Sequence, residues 1–225
     1  MIKAVLLDID NTLLDFNKCS ELAIKKSFLE HGLPFTDEVF PTFLRRNDIL
    51  WKNIEKGEYT RELLHKERWN IIFGELGIDY DGTKLEKSFL DNLYDCVVLI
   101  DGALEIVKYL SSKYYLCTAS NAPNDQQYNR LKLAGIYPYI KKVFTSEALG
   151  VNKPLPEFFD KVFENLNGIT PSQTVIIGDS LTADIEGGKR YGMSTVWYNH
   201  LKLPEPQVKR YDFKADSLLE IKNFL

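Results

Sequence analysis

Hydrophobic and polar positions along the chain change rhythm twice. The run Ala4-Val5-Leu6-Leu7 closes in Asp8-Ile9-Asp10-Asn11-Thr12, and a short apolar run bounded by polar residues predicts a buried strand. From about Asn17 to Tyr94 apolar residues recur at three and four positions, as among Leu22, Ile24, Phe28 and Leu29, which predicts helices. Breaks at Gly32-Leu33-Pro34, Lys56-Gly57, Gly77-Ile78 and Asp81-Gly82 divide that block into helices near 18–31, 36–55, 60–77 and 83–95. After Ile100-Asp101-Gly102 helix and strand alternate. A helix runs to about Ser112, a strand from Tyr114 to Ala119, and a helix from about Asp125 to Ala134 that ends at Gly135, a residue suited to a left-handed C-terminal position. A strand at Val143-Phe144, a helix from Glu157 to Leu166 and a strand at Val175-Ile176-Ile177 come next. The pattern closes with a helix from Ala183 to Tyr191, a strand from Ser194 to Trp197 and a helix from Ser217. Such alternation predicts an α/β fold, a doubly wound parallel sheet wrapped on both faces, with a helical bundle inserted after the first strand. The expected division is a core of residues 1–15 and 99–225 and an inserted domain of residues 16–98.

Composition narrows the function classes. With 225 residues, 44% hydrophobic and 12% aromatic, the chain can bury one large core or two modest ones. A net charge of −4, with Lys and Arg spread along the sequence, provides no basic stripe for a nucleic acid polymer. A small anionic substrate needs only a local positive site. No apolar run approaches the roughly 18–20 residues of a membrane span, and Asp8 interrupts the N-terminal segment before a signal core forms, so a cytoplasmic location is expected. Cys19, Cys96 and Cys117 lack any metal-ligand spacing and read as buried free thiols. His31, His65 and His200 have no partner spacing and read as structural or surface residues. Trp51 and Trp69 read as core of the insertion, and Arg45, Arg46 and Lys52 as an exposed helix face.

The chemistry concentrates at strand ends. Asp8 and Asp10 lie at the carboxyl end of the first strand, where open α/β sheets bind ligands. Two carboxylates so close repel unless a cation lies between them or one keeps its proton. The strand ending in Ser120-Asn121 offers a hydroxyl and a backbone N–H at a strand-to-helix turn, both able to face a phosphate. Asn152-Lys153-Pro154 brings a cation, and Gly178-Asp179-Ser180 with Asp184 and Gly187-Gly188 brings carboxylates at a helix start. Taken singly, each has a plain structural reading: Asp and Ser as helix caps or turn formers, Lys153 as a solvated lysine, Asp184 as a surface charge. Their order along alternating strands is what makes them a set.

As a set, DxDxT, Ser-Asn, Lys-Pro and GDSxxxDxxGG resemble the four motifs of the haloacid dehalogenase-like hydrolase superfamily, and the inserted helices resemble its helical type 1 cap, which closes over the site. The resemblance implies that Asp8 is the nucleophile forming an aspartyl-phosphate and Asp10 the general acid and base. It implies Mg²⁺ held by Asp8, the Asp10 backbone carbonyl and Asp179, with Ser120, the Asn121 backbone N–H and Lys153 on the phosphoryl oxygens. Asp184 then orients Lys153 or a metal-bound water, and Thr12 fixes the loop after Asp10. Dehalogenases lack the second acid, so Asp10 points to phosphoryl transfer. Phosphonatases add a reactive cap lysine, and nothing distinguishes Lys18, Lys25 or Lys26 in that role. Trp51, the stretch Glu55-Lys56-Gly57-Glu58-Tyr59-Thr60 and the stretch Ser146 to Pro154 resemble bacterial pyrimidine 5′-nucleotidases. The expectation is a Mg²⁺-dependent phosphatase of a small phosphorylated metabolite, a 5′-nucleotidase, acting as a monomer or weak homodimer. A sugar-phosphate phosphatase, a phosphosugar mutase, and a non-enzymatic phospho-receiver or binding protein are the alternatives.

Overall fold

The computed structural model describes residues 1–225, and they form two compact units, Met1–Asp15 with Val97–Leu225, and Phe16–Cys96. The first unit is built on strands β1 (Ala4–Leu7), β2 (Tyr115–Ser120), β3 (Lys142–Thr145), β4 (Thr174–Gly178), β5 (Ser194–Tyr198) and β6 (Phe213–Ala215). They form one parallel sheet in the order β3-β2-β1-β4-β5-β6. From β1 the chain builds outward to β2 and β3, then crosses back to lay β4 against the other edge of β1. Residues following β1 and β4 therefore meet where the strand order reverses, the place where loops leave the sheet in opposite directions and open a crevice.

Both faces of the sheet are covered, which is why β1 is apolar at every position rather than alternating. Val5, Leu7, Leu116, Val175 and Ile177 pack on one face against Ile106, Val107 and Leu110 of helix α5 (Ala103–Ser111) and Leu131 of helix α6 (Asn124–Leu133), where α1–α4 are the helices of the second unit. Leu6, Cys117, Ala119, Phe144 and Ile176 pack on the other face with Phe158, Phe159 and Val162 of helix α8 (Pro156–Glu164), which follows the single-turn helix α7 (Ser146–Leu149). Gly135 has φ +67°, the left-handed value expected of it.

The remaining elements depart from the sequence pattern. The helix expected from Ala183 to Tyr191 is a wide π-helical turn, Leu181–Glu186, followed by the short helix α9 (Gly187–Arg190). The closing segment Leu218–Asn223 is a 3₁₀ helix. Strand β6 has no counterpart in the pattern, because three residues, with Phe213 exposed and Ala215 buried, are too few to show an alternation. Helix α9 lies close to the sheet because its glycines have no side chain to hold it off. A Cβ on Gly188 would stand 2.3 Å from Cγ2 of Ile176, and one on Gly187 would stand 2.9 Å from Cβ of Pro154.

The second unit consists of α1 (Phe16–Glu30), α2 (Val39–Glu55), α3 (Arg61–Leu76) and α4 (Gly82–Tyr94). Thr60 caps α3 by accepting from the Leu63 N–H at 3.2 Å, and Asp81 caps α4 by accepting from Thr83 at 3.0 Å. Trp69 is the centre of its core, with Phe28, Phe43, Phe73 and Phe89 packed round it at ring separations of 5.4–6.0 Å among themselves and with it. Trp51 is only half-buried, beside Leu50 and Ile54. Arg45 and Arg46 of α2 pair with Glu75 of α3, and Lys52 pairs with Asp48 one turn earlier on α2 at 2.7 Å, so the charge of each cation is met by a surface carboxylate. Cys19 and Cys117 are buried free thiols as expected, whereas Cys96 is half-buried. No helix is long and apolar enough to cross a membrane.

Placing a methyl group between α9 and β4 forces the two apart. Gly188→Ala is expected to lose about 1–3 kcal/mol of stability, the usual effect of overpacking a closed core, measured as a lower urea midpoint at unchanged slope.

Candidate active site

Asp8 follows β1 directly, and its backbone N–H still donates to the Ile177 carbonyl of β4 at 2.9 Å, so the sheet itself fixes where this side chain begins. Beyond it the chain turns sharply: Leu13 and Leu14 N–H both donate to the Ile9 carbonyl, at 2.8 and 2.9 Å, and Asn11 adopts φ +59°, a left-handed conformation that asparagine tolerates. The turn brings Thr12 back, and its hydroxyl donates to Asp8 Oδ2 at 3.1 Å. Thr12 thus holds the Asp8 carboxylate, a contact more direct than the loop-fixing role read from the sequence.

The other Asp8 oxygen, Oδ1, accepts from Lys153 Nζ at 2.9 Å. That ammonium is 2% exposed and also donates to Asp184 Oδ1 at 2.6 Å and to the Ala119 carbonyl at 2.6 Å. An ammonium has three hydrogens, and all three are used. Asn121 anchors the lysine's own backbone by a reciprocal pair, its Nδ2 donating to the Lys153 carbonyl at 3.0 Å and its Oδ1 accepting from the Lys153 N–H at 2.8 Å. Asp184 reaches Lys153 because the π-helical turn is wide and because Gly178 lacks a side chain. A Cβ there would lie 2.1 Å from Asp184 Oδ2. That second oxygen accepts from the Ser180 N–H at 3.2 Å.

Carboxylate oxygens of Asp8, Asp179 and Asp184 lie within 4.8 Å of one another. Lys153 is the cation at this cluster, so negative charge is in excess, and the acids respond. Burial pushes the Asp8 carboxyl up to about 7, with Lys153 pulling it down and Asp184 and Asp10 adding to the rise. Burial, Asp8 and Asp184 hold Asp179 well above the usual carboxylate range. Burial opposes the Lys153 charge, yet Asp184 and Asp8 outweigh it and raise this lysine above its ordinary value. An all-oxygen, over-acidic set of this kind fits a hard divalent cation. Asp184 belongs to it geometrically, whereas the sequence reading placed only Asp8, Asp10 and Asp179 there.

The Asp10 side chain turns to a different pair of partners, which sequence reasoning did not single out. Arg130 Nη1 donates to its Oδ1 at 2.6 Å and Gln127 Nε2 to its Oδ2 at 2.7 Å. Their i, i+3 spacing puts them on one face of α6, but that helix is mostly polar, with Tyr128, Leu131 and Leu133 its apolar residues, so little contrast marks the face from sequence. Gln127 Nε2 also donates to Ser120 Oγ at 2.9 Å, and the Ala122 N–H donates to the same oxygen at 3.2 Å. Ser120 Oγ therefore accepts twice, and its own proton is left to donate.

A sheet that reverses its order at this acidic strand-end cluster defines a class. Residues 2–192 match the haloacid dehalogenase-like hydrolase family, and the chain belongs to it. It is 36% identical over 197 residues to the HAD-hydrolase YfnB of Bacillus subtilis, covering 88% of this chain and 84% of that one. The crystal structure of YfnB, determined with magnesium bound, superposes with a TM-score of 0.94 at 33% identity, covering 100% of this chain and 98% of that chain. The pyrimidine 5′-nucleotidase PynA of Streptococcus pneumoniae is 33% identical over 88% of this chain and 84% of its own. The pyrimidine 5′-nucleotidase YjjG of Escherichia coli is 25% identical over 98% of this chain and 96% of its own.

Removing the ammonium tests this account of the cluster. Asp8 keeps a proton in the folded chain between its ordinary 3.8 and about 7, while the unfolded chain has lost it, so its contribution to stability falls as pH rises through that window. Without Lys153 the fall continues to higher pH. Lys153→Met, measured by urea unfolding in EDTA, is expected to be less stable than the native chain by about 3–5 kcal/mol at pH 8, the range for breaking a buried ion pair, with a smaller deficit at pH 5.

Proposed function

We propose that this protein is a Mg²⁺-dependent phosphomonoester hydrolase working through an aspartyl-phosphate, and that nucleoside 5′-monophosphates, pyrimidines in particular, are its substrates. The observation that supports the reaction is that the side chains of Asp8 and Asp10 have different partners. Asp8 is held by Lys153 and Thr12 inside the acidic cluster, while Asp10, two residues on, is held by Arg130 and Gln127.

In the first step an Asp8 oxygen attacks phosphorus, the bond from phosphorus to the ester oxygen breaks, and that oxygen takes a proton from Asp10. In the second, water attacks the phosphorus of the aspartyl-phosphate, gives a proton back to Asp10, and the Asp8 carboxylate leaves. Lys153 and Thr12 hold the nucleophile in one orientation, which converts an encounter into a directed attack. Ser120, with its proton free to donate, and the Asn121 N–H receive phosphoryl oxygens. Mg²⁺, which Asp8, Asp179, Asp184 and the Asp10 carbonyl would hold, supplies charge neutralisation of the phosphoryl group. The names of PynA and YjjG support the nucleotide reading.

Hydrolysis of p-nitrophenyl phosphate is expected to require Mg²⁺, to stop with EDTA, and to fall by at least about 10³-fold in Asp8→Asn, whose amide does not form the phosphoenzyme. Turnover that survives Asp8→Asn would overturn the covalent route. A panel of phosphomonoesters tests the substrate class: kcat/KM for UMP and CMP is expected to exceed that for sugar phosphates by about tenfold or more, about 1.4 kcal/mol of preferential transition-state binding. Equal values would remove the nucleotidase reading and leave the phosphatase.

A further inference from the structure

Arg130 is fully buried, and the carboxylate it pairs with, Asp10, is not: the side-chain exposures are 0% and 25%. A buried guanidinium is costly unless its charge and hydrogen bonds are met, and a pair serving only the core would be covered on both sides. Here the cation lies wholly inside and the anion projects from it to the accessible side. Gln127, also fully buried, completes the arrangement. Its two amide hydrogens go to Asp10 Oδ2 and Ser120 Oγ, and its Oε1 accepts from Arg130 Nη1 at 3.4 Å. The amide has only this orientation, since turning it over would set Oε1 against the Asp10 carboxylate and Nε2 against the guanidinium.

We infer that Gln127 and Arg130 are positioning residues for the acid step: from inside α6 they fix the Asp10 carboxyl group, which carries its proton on one of the outer positions, for delivery of that proton to the ester oxygen, and Gln127 couples the fixed acid to the phosphate-facing hydroxyl of Ser120. This rests on the phosphatase reading. A carboxylate has about four lone-pair positions. Arg130 and Gln127 occupy one on each oxygen, which removes rotation about the side chain and leaves the outer positions for the reaction. A flexible aspartate would have to be found in the right rotamer at the moment the ester bond breaks; this one is held by two donors at 2.6 and 2.7 Å. Neither α6 residue touches the reacting atoms: Arg130 acts through Asp10, and Gln127 acts through Asp10 and Ser120.

Two leaving groups separate this role from general damage. A p-nitrophenolate departs without a proton, whereas an alkoxide needs one, and kcat/KM reports the step in which the ester bond breaks. Arg130→Met and Gln127→Met are expected to lower kcat/KM for an alkyl phosphate by about 10²-fold, the lower end of what a general acid contributes. For p-nitrophenyl phosphate the loss is expected to stay within about fivefold, so that both variants approach the split shown by Asp10→Asn. Arg130→Lys, which keeps a cation near Oδ1, is expected to recover most of the alkyl activity. Equal losses on both substrates, or none, would overturn the inference, as would an Arg130→Lys no better than Arg130→Met. Gln127→Met, which removes no charge, carries the same test if Arg130→Met does not fold. A native chain that hydrolyses neither ester defeats the phosphatase reading itself, whereas a native chain active on both with unsplit variants defeats only the role of α6.

Discussion

The ammonium of Lys153 is where four distant segments of the chain are made to agree. Its three hydrogens point to Asp8 after β1, to the Ala119 carbonyl in β2, and to Asp184 in the turn after β4, while the lysine itself enters from the loop beyond α7. Burying one charge is unfavourable, and burying acids beside it is worse unless geometry lets each oxygen meet a hydrogen. That condition fixes the register of the loops relative to the sheet. Val5 aligned with Leu116 on one side and Val175 on the other brings the strand ends level, and level strand ends are what let a single side chain span them.

The close approaches elsewhere in this half of the chain serve the same point. Gly178 has ordinary backbone geometry and needs no left-handed freedom; it is glycine because the Asp184 carboxylate occupies the space where a Cβ would be. Gly187 and Gly188 let α9 settle on Ile176 and Pro154, which draws the turn carrying Asp184 toward the loop carrying Lys153. The π-helical widening follows from the same demand. The Ile185 N–H reaches back to the Ser180 carbonyl at 3.2 Å, and that wider loop swings Asp184 inward rather than along the surface of a regular helix.

These causes explain which parts of the protein could be read from its sequence. β1, β2, β4 and β5 announce themselves because strands covered on both faces are apolar runs, and polar residues at their ends mark the carboxyl edge. The helices of the second unit announce themselves by their periodicity and, for α3 and α4, by Thr60 and Asp81 at their starts. The turn at Leu181–Glu186 falls where the pattern predicts a regular helix from Ala183, and its π-helical width, with Asp184 turned to Lys153, has no local sign in the sequence. Cluster membership of Asp184, the grip of Thr12 on Asp8, and Gln127 with Arg130 behind Asp10 were equally hidden. The Thr12 contact is local but depends on the turn at Asn11, whereas the others depend on contacts across the fold, such as the 120-residue separation of Arg130 from Asp10, and an arginine on a largely polar helix carries no local sign of being buried.

Two aspartates at adjacent outward positions of a strand end pose a problem of like charge, for which a shared metal or a shared proton are the solutions visible from sequence. The folded chain adds a third: it gives each acid its own cation, drawn from a different element. Lys153 faces Asp8 and Arg130 faces Asp10. The two pairs are nevertheless unequal. Asp8 shares its lysine with Asp184 and lies near Asp179, so that side of the site keeps surplus negative charge, which a divalent cation would offset. Asp10 has a guanidinium on one oxygen and an amide on the other, an arrangement that meets its charge at the side chain. In the proposed reaction this asymmetry would separate the roles: the surplus charge around Asp8 would have to be neutralised before it approached a phosphate, and the local balance would leave Asp10 held in place with its outer lone pairs open to a proton.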